Sequence, residues 1–184
     1  PSPVIDIRNL TVALPSGADR PFAIEDVSFS LLPQEVLCIV GESGSGKSLT
    51  SQAIMGLLPG PEVHVASGSI LFEGRDLAKL GEPDMRALRG VRIAMIFQEP
   101  MTALNPVMRV GEQIAEAYLA HHKAGRAEAR ERALAMLDAV KIRDPRRVYE
   151  LYPHEVSGGM GQRVMIAMML IPEPWVANPQ MDLD

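Results

Sequence analysis

Val4-Ile5-Asp6-Ile7-Arg8-Asn9-Leu10 begins by alternating apolar and polar residues, the period of a strand with one buried face, and Val27-Ser28-Phe29-Ser30-Leu31 repeats the pattern before Pro33. These two segments predict a small antiparallel sheet. Leu37-Cys38-Ile39-Val40 is apolar at every position, which predicts a strand covered on both faces that runs into a glycine loop and a helix from about Lys47. Residues 56–68 hold prolines and glycines and predict a turn-rich excursion, closed by a short strand at Ser69-Ile70-Leu71-Phe72 and a turn at Glu73-Gly74-Arg75-Asp76. A brief helix is expected over 85–88 and another buried strand over 91–97, stopped by Gln98-Glu99-Pro100 because proline restricts the residue before it.

Beyond residue 107 the period changes. Val110, Ile114 and Tyr118 recur at helical spacing, and a second helix over 127–140 places Ala133, Leu134, Leu137 and Val140 on one side. Together they predict a helical lobe, with the charge-rich residues 123–132 as its solvated face. The sequence contains no internal repeat and no low-complexity tract.

Composition narrows the picture. A chain of 184 residues can bury one sizeable core, so a single domain with a smaller inserted lobe is expected. The 18 Lys+Arg and 23 Asp+Glu residues are interspersed and sum to a net charge of -5, which provides no continuous cationic surface and argues against a nucleic-acid partner. Cys38 is the single cysteine, can form no internal disulfide, and is expected as a small apolar side chain in a buried strand of a cytosolic protein. No secretory segment is expected, and the apolar runs are too short to span a membrane.

The chemistry concentrates in Gly41-Glu42-Ser43-Gly44-Ser45-Gly46-Lys47-Ser48, followed by Leu49. Glycines at 41, 44 and 46 let backbone amides converge on phosphate oxygens, and the following helix adds the positive end of its dipole. Lys47 is placed to reach the outer phosphates and Ser48 to offer a hydroxyl to Mg2+. Gln98, at the end of the predicted strand, is a candidate to coordinate metal or water beside the phosphates. Ser157-Gly158-Gly159-Met160 opens a mostly apolar helix with a serine cap and two glycines, a second cluster of exposed amides suited to an anion.

These motifs, in this order, resemble the nucleotide-binding subunits of ATP-binding cassette transporters, most closely the oligopeptide, dipeptide and nickel importer branch. The resemblance runs from about Val4 to Ile171 and includes Phe97-Gln98-Glu99-Pro100-Met101-Thr102-Ala103-Leu104-Asn105-Pro106 and Tyr152-Pro153-His154-Glu155-Val156-Ser157-Gly158-Gly159-Met160. It implies an α/β P-loop ATPase fold with an N-terminal antiparallel β-subdomain and an inserted helical lobe. Residues 1–98 would form the β-subdomain and Walker A part of the core, 99–172 the helical lobe and signature helix, and 173–184 a degenerate or truncated Walker B and D-loop region. By the same resemblance, Phe22 stacks on adenine, residues 41–49 bind ATP, Gln98 is the Q-loop glutamine, and Ser157, Gly158 and Gly159 are the signature.

The resemblance further implies MgATP hydrolysis coupled to import of a small solute such as oligopeptides or dipeptides. Two such subunits, identical or not, face head to tail around the nucleotide and dock on transmembrane permease subunits at the cytoplasmic face of the membrane, with a solute-binding protein as an indirect partner. The alternatives are a non-transport ATPase of the same class and a binding-only or inactive fragment. Trp175-Val176-Ala177-Asn178-Pro179 departs from the family pattern, because Asn178 aligns with the Walker B aspartate and no glutamate follows. Asp182 and Asp184 stand near the missing base without matching it, and none of His64, His121, His122 or His154 matches the switch histidine. These departures predict a C-terminally incomplete domain with hydrolysis much weaker than nucleotide binding, in which Lys47, Gln98 and Asn178 are the remaining catalytic candidates.

Overall fold

The computed structural model describes residues 2–97, 99–174 and 176–179, with the backbone alone for 100, 101 and 176–179. The chain divides into two compact units, Pro1–Ala87 and Leu88–Asp184.

The first unit is built on an antiparallel sheet in the order β2-β1-β3-β4, comprising β1 (Ile5–Ala13), β2 (Phe22–Leu31), β3 (His64–Phe72) and β4 (Arg75–Asp76). Central strand β1 buries Ile5 and Ile7 and then Leu10 and Val12, so its inward phase slips from odd to even positions. The slip is a bulge. Asn9 adopts φ +48°, and the β1–β2 and β1–β3 registers both shift there. Opposite it, a Cβ on Gly68 would lie 2.4 Å from the Asn9 carbonyl oxygen, which restricts that position to glycine. Asn9 is tied to the neighbouring strand by its N–H donating to Ser28 Oγ at 2.7 Å and its Nδ2 donating to Asp26 Oδ1 at 2.7 Å. Strand β3 begins at His64, earlier than the expected 69, because residues 64–67 pair with β1 before the Gly68 kink.

Helix α1 (Lys47–Met55) buries Ala53, Ile54 and Met55 and ends where Gly56 turns left-handed at φ +62°. The segment before it departs from expectation. Residues 36–40 belong to no strand; Val36 is 95% and Val40 82% exposed, with Leu37 and Ile39 also exposed. Cys38 is likewise exposed, not buried. An unbroken apolar run becomes a covered strand only when other strands pair with its edges, and no described strand pairs with this one. A 3₁₀ turn over Leu77–Lys79 follows, capped by Asp76 Oδ1 accepting from the Ala78 N–H at 3.2 Å, and then α2 (Glu82–Leu88).

The second unit pairs β5 (Ile93–Ile96) in parallel with β6 (Val176–Pro179), Met95 lying opposite Asn178. Every residue of β5 is buried, whereas Phe97 beyond it is 38% exposed. After α3 (Pro100–Ala103) come α4 (Val110–Leu119), α5 (Arg126–Ala139), α6 (Pro145–Tyr149) and α7 (Gly158–Leu170). Val110, Ile114 and Tyr118 of α4 meet Ala129, Ala133 and Leu137 of α5 and Val164 and Ala167 of α7 in one core. The two alanines on α5 let it approach α4 closely. The buried stripe of α5 starts at Ala129, one turn before the expected set, and Leu134 and Val140 lie at its margin.

Arg130 on the charged side of α5 is more than a solvated group. It donates to Glu150 Oε1 at 2.8 Å, and its guanidinium lies 4.2 Å from the Tyr149 ring centroid. Arg109 reaches the other Glu150 oxygen, so one carboxylate joins the starts of α4 and α5 to the end of α6.

Candidate functional site

The phosphate loop, residues 41–46, is assembled entirely within the first unit. Gly44 and Gly46 adopt φ +78° and +93°, the left-handed conformations that only glycine takes without strain. Gly46 also packs: a Cβ there would sit 2.8 Å from both the Ala23 carbonyl oxygen and Ile24 Cγ1, so the base of the loop lies against strand β2. A Cβ on Gly41 would meet Ser45 Oγ at 2.7 Å. Lys47, in the first turn of α1, donates from Nζ to the carbonyls of Gly41 at 2.7 Å and Glu42 at 2.9 Å, which folds its side chain back over the loop.

The helix start is anchored by two buried hydroxyls. Thr50 Oγ1 donates to the Gly46 carbonyl at 3.0 Å and Ser51 Oγ to the Lys47 carbonyl at 3.4 Å, so neither is left unsatisfied in the interior. Ser48 is exposed beside them and Leu49 is half-buried. Phe22 opens β2 opposite Ala13 and is half-buried, immediately before the Ala23-Ile24 segment that supports Gly46. The structure therefore brings Phe22 to the same strand end as the loop. It adds a contact that motif reasoning missed: Arg20 Nη2 donates to the Gly44 carbonyl. A contact across 24 residues leaves no periodic trace in the sequence.

In the second unit Ser157 caps α7, its Oγ accepting from the Met160 N–H at 3.4 Å. Gly158 and Gly159 are exposed in open space, with no atom within 4 Å of a Cβ on either. The turn before them is stiffened by Glu155, whose carboxylate accepts from the Tyr152 N–H at 2.8 Å, and His154 stacks on Tyr152 at 5.8 Å. His154 thus has a local role, as do His64, which contacts the Glu62 carbonyl, and His122, which stacks on Tyr118 at 4.3 Å. Asn178 lies on β6, where only the backbone is described; Gln98, Trp175, Asp182 and Asp184 lie outside the described residues. Among the described residues no group of three or more His, Cys, Asp or Glu side chains could hold a metal ion, and no helix is long and apolar enough to cross a membrane.

A glycine loop in left-handed turns, closed by a lysine at the head of a helix, defines a P-loop nucleotide-binding protein. The family model described as ABC transporter matches residues 24–177, and the chain belongs to that family. The dipeptide transport ATP-binding protein DppD of Bacillus subtilis is 50% identical over 171 residues, 93% of this chain and 51% of its own length. The oligopeptide transport ATP-binding protein OppD of Escherichia coli is 47% identical over 171 residues, 93% of this chain and 50% of its own. The peptidoglycan transport ATP-binding protein YejF of Agrobacterium fabrum is 49% identical over 172 residues, 94% of this chain and 32% of its own. The chain thus spans about half the length, or less, of these curated relatives.

Among solved structures, the dimeric structure of MJ0796, a bacterial ABC transporter cassette, superposes with a TM-score of 0.84 at 25% identity, covering 95% of this chain and 72% of that one. The fold is the P-loop ATPase fold of the ABC class, with its N-terminal antiparallel sheet and inserted helical subdomain.

Proposed function

We propose that the chain is the ATP-binding part of a peptide-type ABC importer, binding MgATP at residues 41–49 and hydrolysing it to drive uptake of oligopeptides or dipeptides. The observation that carries the reading is the preformed loop: Gly44 and Gly46 in left-handed turns, with Lys47 folded over the Gly41 and Glu42 carbonyls. Relatives at 47% to 50% identity with peptide-transport names support the solute class.

These residues fit a polyphosphate. Gly46 lacks the Cβ that would collide with β2, and the Lys47 ammonium rests on neutral carbonyls that an anion can replace. Phe22 would stack on the adenine and the loop amides would hold the phosphates, with Lys47 holding charge that develops as water attacks the γ-phosphate in line. Ser48 and Gln98 would hold Mg2+, which supplies charge neutralisation across the outer phosphates. Ser157, Gly158 and Gly159 would close on nucleotide held by a second ATPase subunit, identical or not.

The helical lobe would dock on permease subunits at the cytoplasmic face of a membrane, a solute-binding protein acting further upstream. Asn178 offers a neutral oxygen where the resemblance expects a carboxylate, so hydrolysis by this chain is expected to be much weaker than binding. Calorimetric titration with MgATP beside K47A tests the reading. Saturable binding lost in K47A supports it, and a titration without heat for both proteins would sink it.

A further inference from the structure

The phosphate loop is gripped by a residue that no phosphate-loop pattern contains. Arg20 stands in the β1–β2 connection, which is closed by the Leu14 N–H donating to the Pro21 carbonyl at 2.9 Å and the Ala18 N–H to the Pro15 carbonyl at 3.1 Å. From this closed hairpin its guanidinium donates to the carbonyl of Gly44. The Ser45 N–H, on the other side of the same peptide plane, donates to the Glu42 carbonyl at 3.1 Å. Because a peptide unit is planar, these two bonds fix its orientation from both sides.

Among the described residues a Cβ on Gly44 would find no atom within 4 Å, whereas Gly46 is wedged against Ala23 and Ile24. The loop therefore has a packed base and a tip held by hydrogen bonds. Neither Arg20 nor Lys47 forms an ion pair among the described residues, so two cations share this loop without a carboxylate counterion.

We propose that Arg20 is a positioning residue for the polyphosphate site. By holding the Gly44 carbonyl, it keeps an electronegative oxygen turned away from an incoming phosphate and leaves the loop amides free to converge on it. The inference rests on the MgATP reading above. It concerns the polyphosphate part of the ligand, since Arg20 acts on a loop carbonyl and not on a group that would meet the base.

The test is titration of the chain with MgATP as wild type, R20A and R20K, with K47A as the control for loss of the site. R20A is expected to weaken binding about tenfold, the scale of one charge-assisted hydrogen bond, while R20K recovers most of it because an ammonium can donate to the same carbonyl. Thermal unfolding without nucleotide should be the same for all three, as Arg20 is exposed. If R20A loses secondary structure, R20Q, which retains an N–H donor without the charge, takes its place with a smaller expected loss.

Wild-type affinity in R20A, with K47A inactive, would overturn the role of Arg20 and leave the nucleotide reading standing. Absence of binding in the wild type itself would overturn both.

Discussion

The carboxamide of Gln113 clasps Asn105 from both sides of its backbone: Oε1 accepts from the Asn105 N–H at 2.8 Å and Nε2 donates to the Asn105 carbonyl at 2.9 Å. The same nitrogen donates to the Met108 carbonyl at 3.0 Å, and Gln113 is only 5% exposed. The turn it holds is closed by the Met108 N–H donating to the Asn105 carbonyl at 3.2 Å, and it carries Val107, 79% exposed, at its tip. A buried polar side chain with three partners is stabilising only while all three are kept.

Gln113→Ala should therefore lower stability by roughly 1–3 kcal/mol, the range for leaving buried polar groups unpaired. Gln113→Glu should do more damage at neutral pH, since a carboxylate keeps the acceptor for Asn105 N–H but sets its second oxygen against the Asn105 and Met108 carbonyls. Burial and these carbonyls would raise that carboxyl's folded-state pKa, so the stability of Q113E should recover as pH falls and the acid form donates. Urea denaturation of the variants at pH 7 and pH 5 checks both claims, and a Q113E variant no less stable at pH 7 than at pH 5 would contradict the second.

The Glu150 cluster gives the opposite pH dependence. The hydrogen bond from Arg130 and the charge of Arg109 hold the Glu150 carboxyl below the usual glutamate range. A lowered folded-state pKa stabilises the fold above the unfolded value of about 4.3 and is lost as pH falls through the folded value. E150Q should accordingly unfold at a lower temperature than wild type at pH 7, and the two midpoints should converge only as pH falls through the lowered folded value. The side chain is 40% exposed, so the gap should be small and should shrink further in 1 M salt. Thermal melts across pH and salt would show it.

How far the sequence could be read follows from the range of the interactions involved. The phosphate loop is written in consecutive residues, and glycine, lysine and serine at fixed offsets report conformation and charge together. Strands β1 and β2 and the Ser157 cap were accessible for the same reason: alternation and capping are local. The bulge at Asn9, the contact of Arg20 with Gly44 and the clasp of Gln113 on Asn105 are pairings between separate segments, and none changes the period of either partner. The run at 37–40 failed in the other direction. Apolar residues announce a wish for cover but do not say what supplies it, and the described strands leave this run unpaired.

The two left-handed glycines of the loop should respond differently to the same methyl group. At Gly44 a Cβ meets open space, so G44A incurs only the strain of a left-handed alanine, about 1–2 kcal/mol. At Gly46 the same strain is joined by collision with the Ala23 carbonyl and Ile24, both 2.8 Å away, and one of these is backbone that cannot swing aside. G46A should therefore lower the unfolding midpoint more than G44A and should also detach the loop from β2. Denaturation of both variants decides this; equal midpoints would mean that packing against β2 does not hold the loop.

Cys38 supplies a direct test of the segment that leads into the loop. An apolar run whose cysteine lay in a covered strand would hide its thiol until the unit unfolded. Here Cys38 is exposed, with Val36 95% and Val40 82% exposed on either side, and no strand pairs with them among the described residues. Access and thiolate fraction govern the rate of thiol alkylation, so a maleimide should label the native chain within about tenfold of the rate in concentrated urea. Protection of more than about a hundredfold would require opening of the structure before reaction, which would place residues 36–40 under cover in solution. Because Cys38 is the only cysteine in the chain, a single mass shift reads the answer without ambiguity about position.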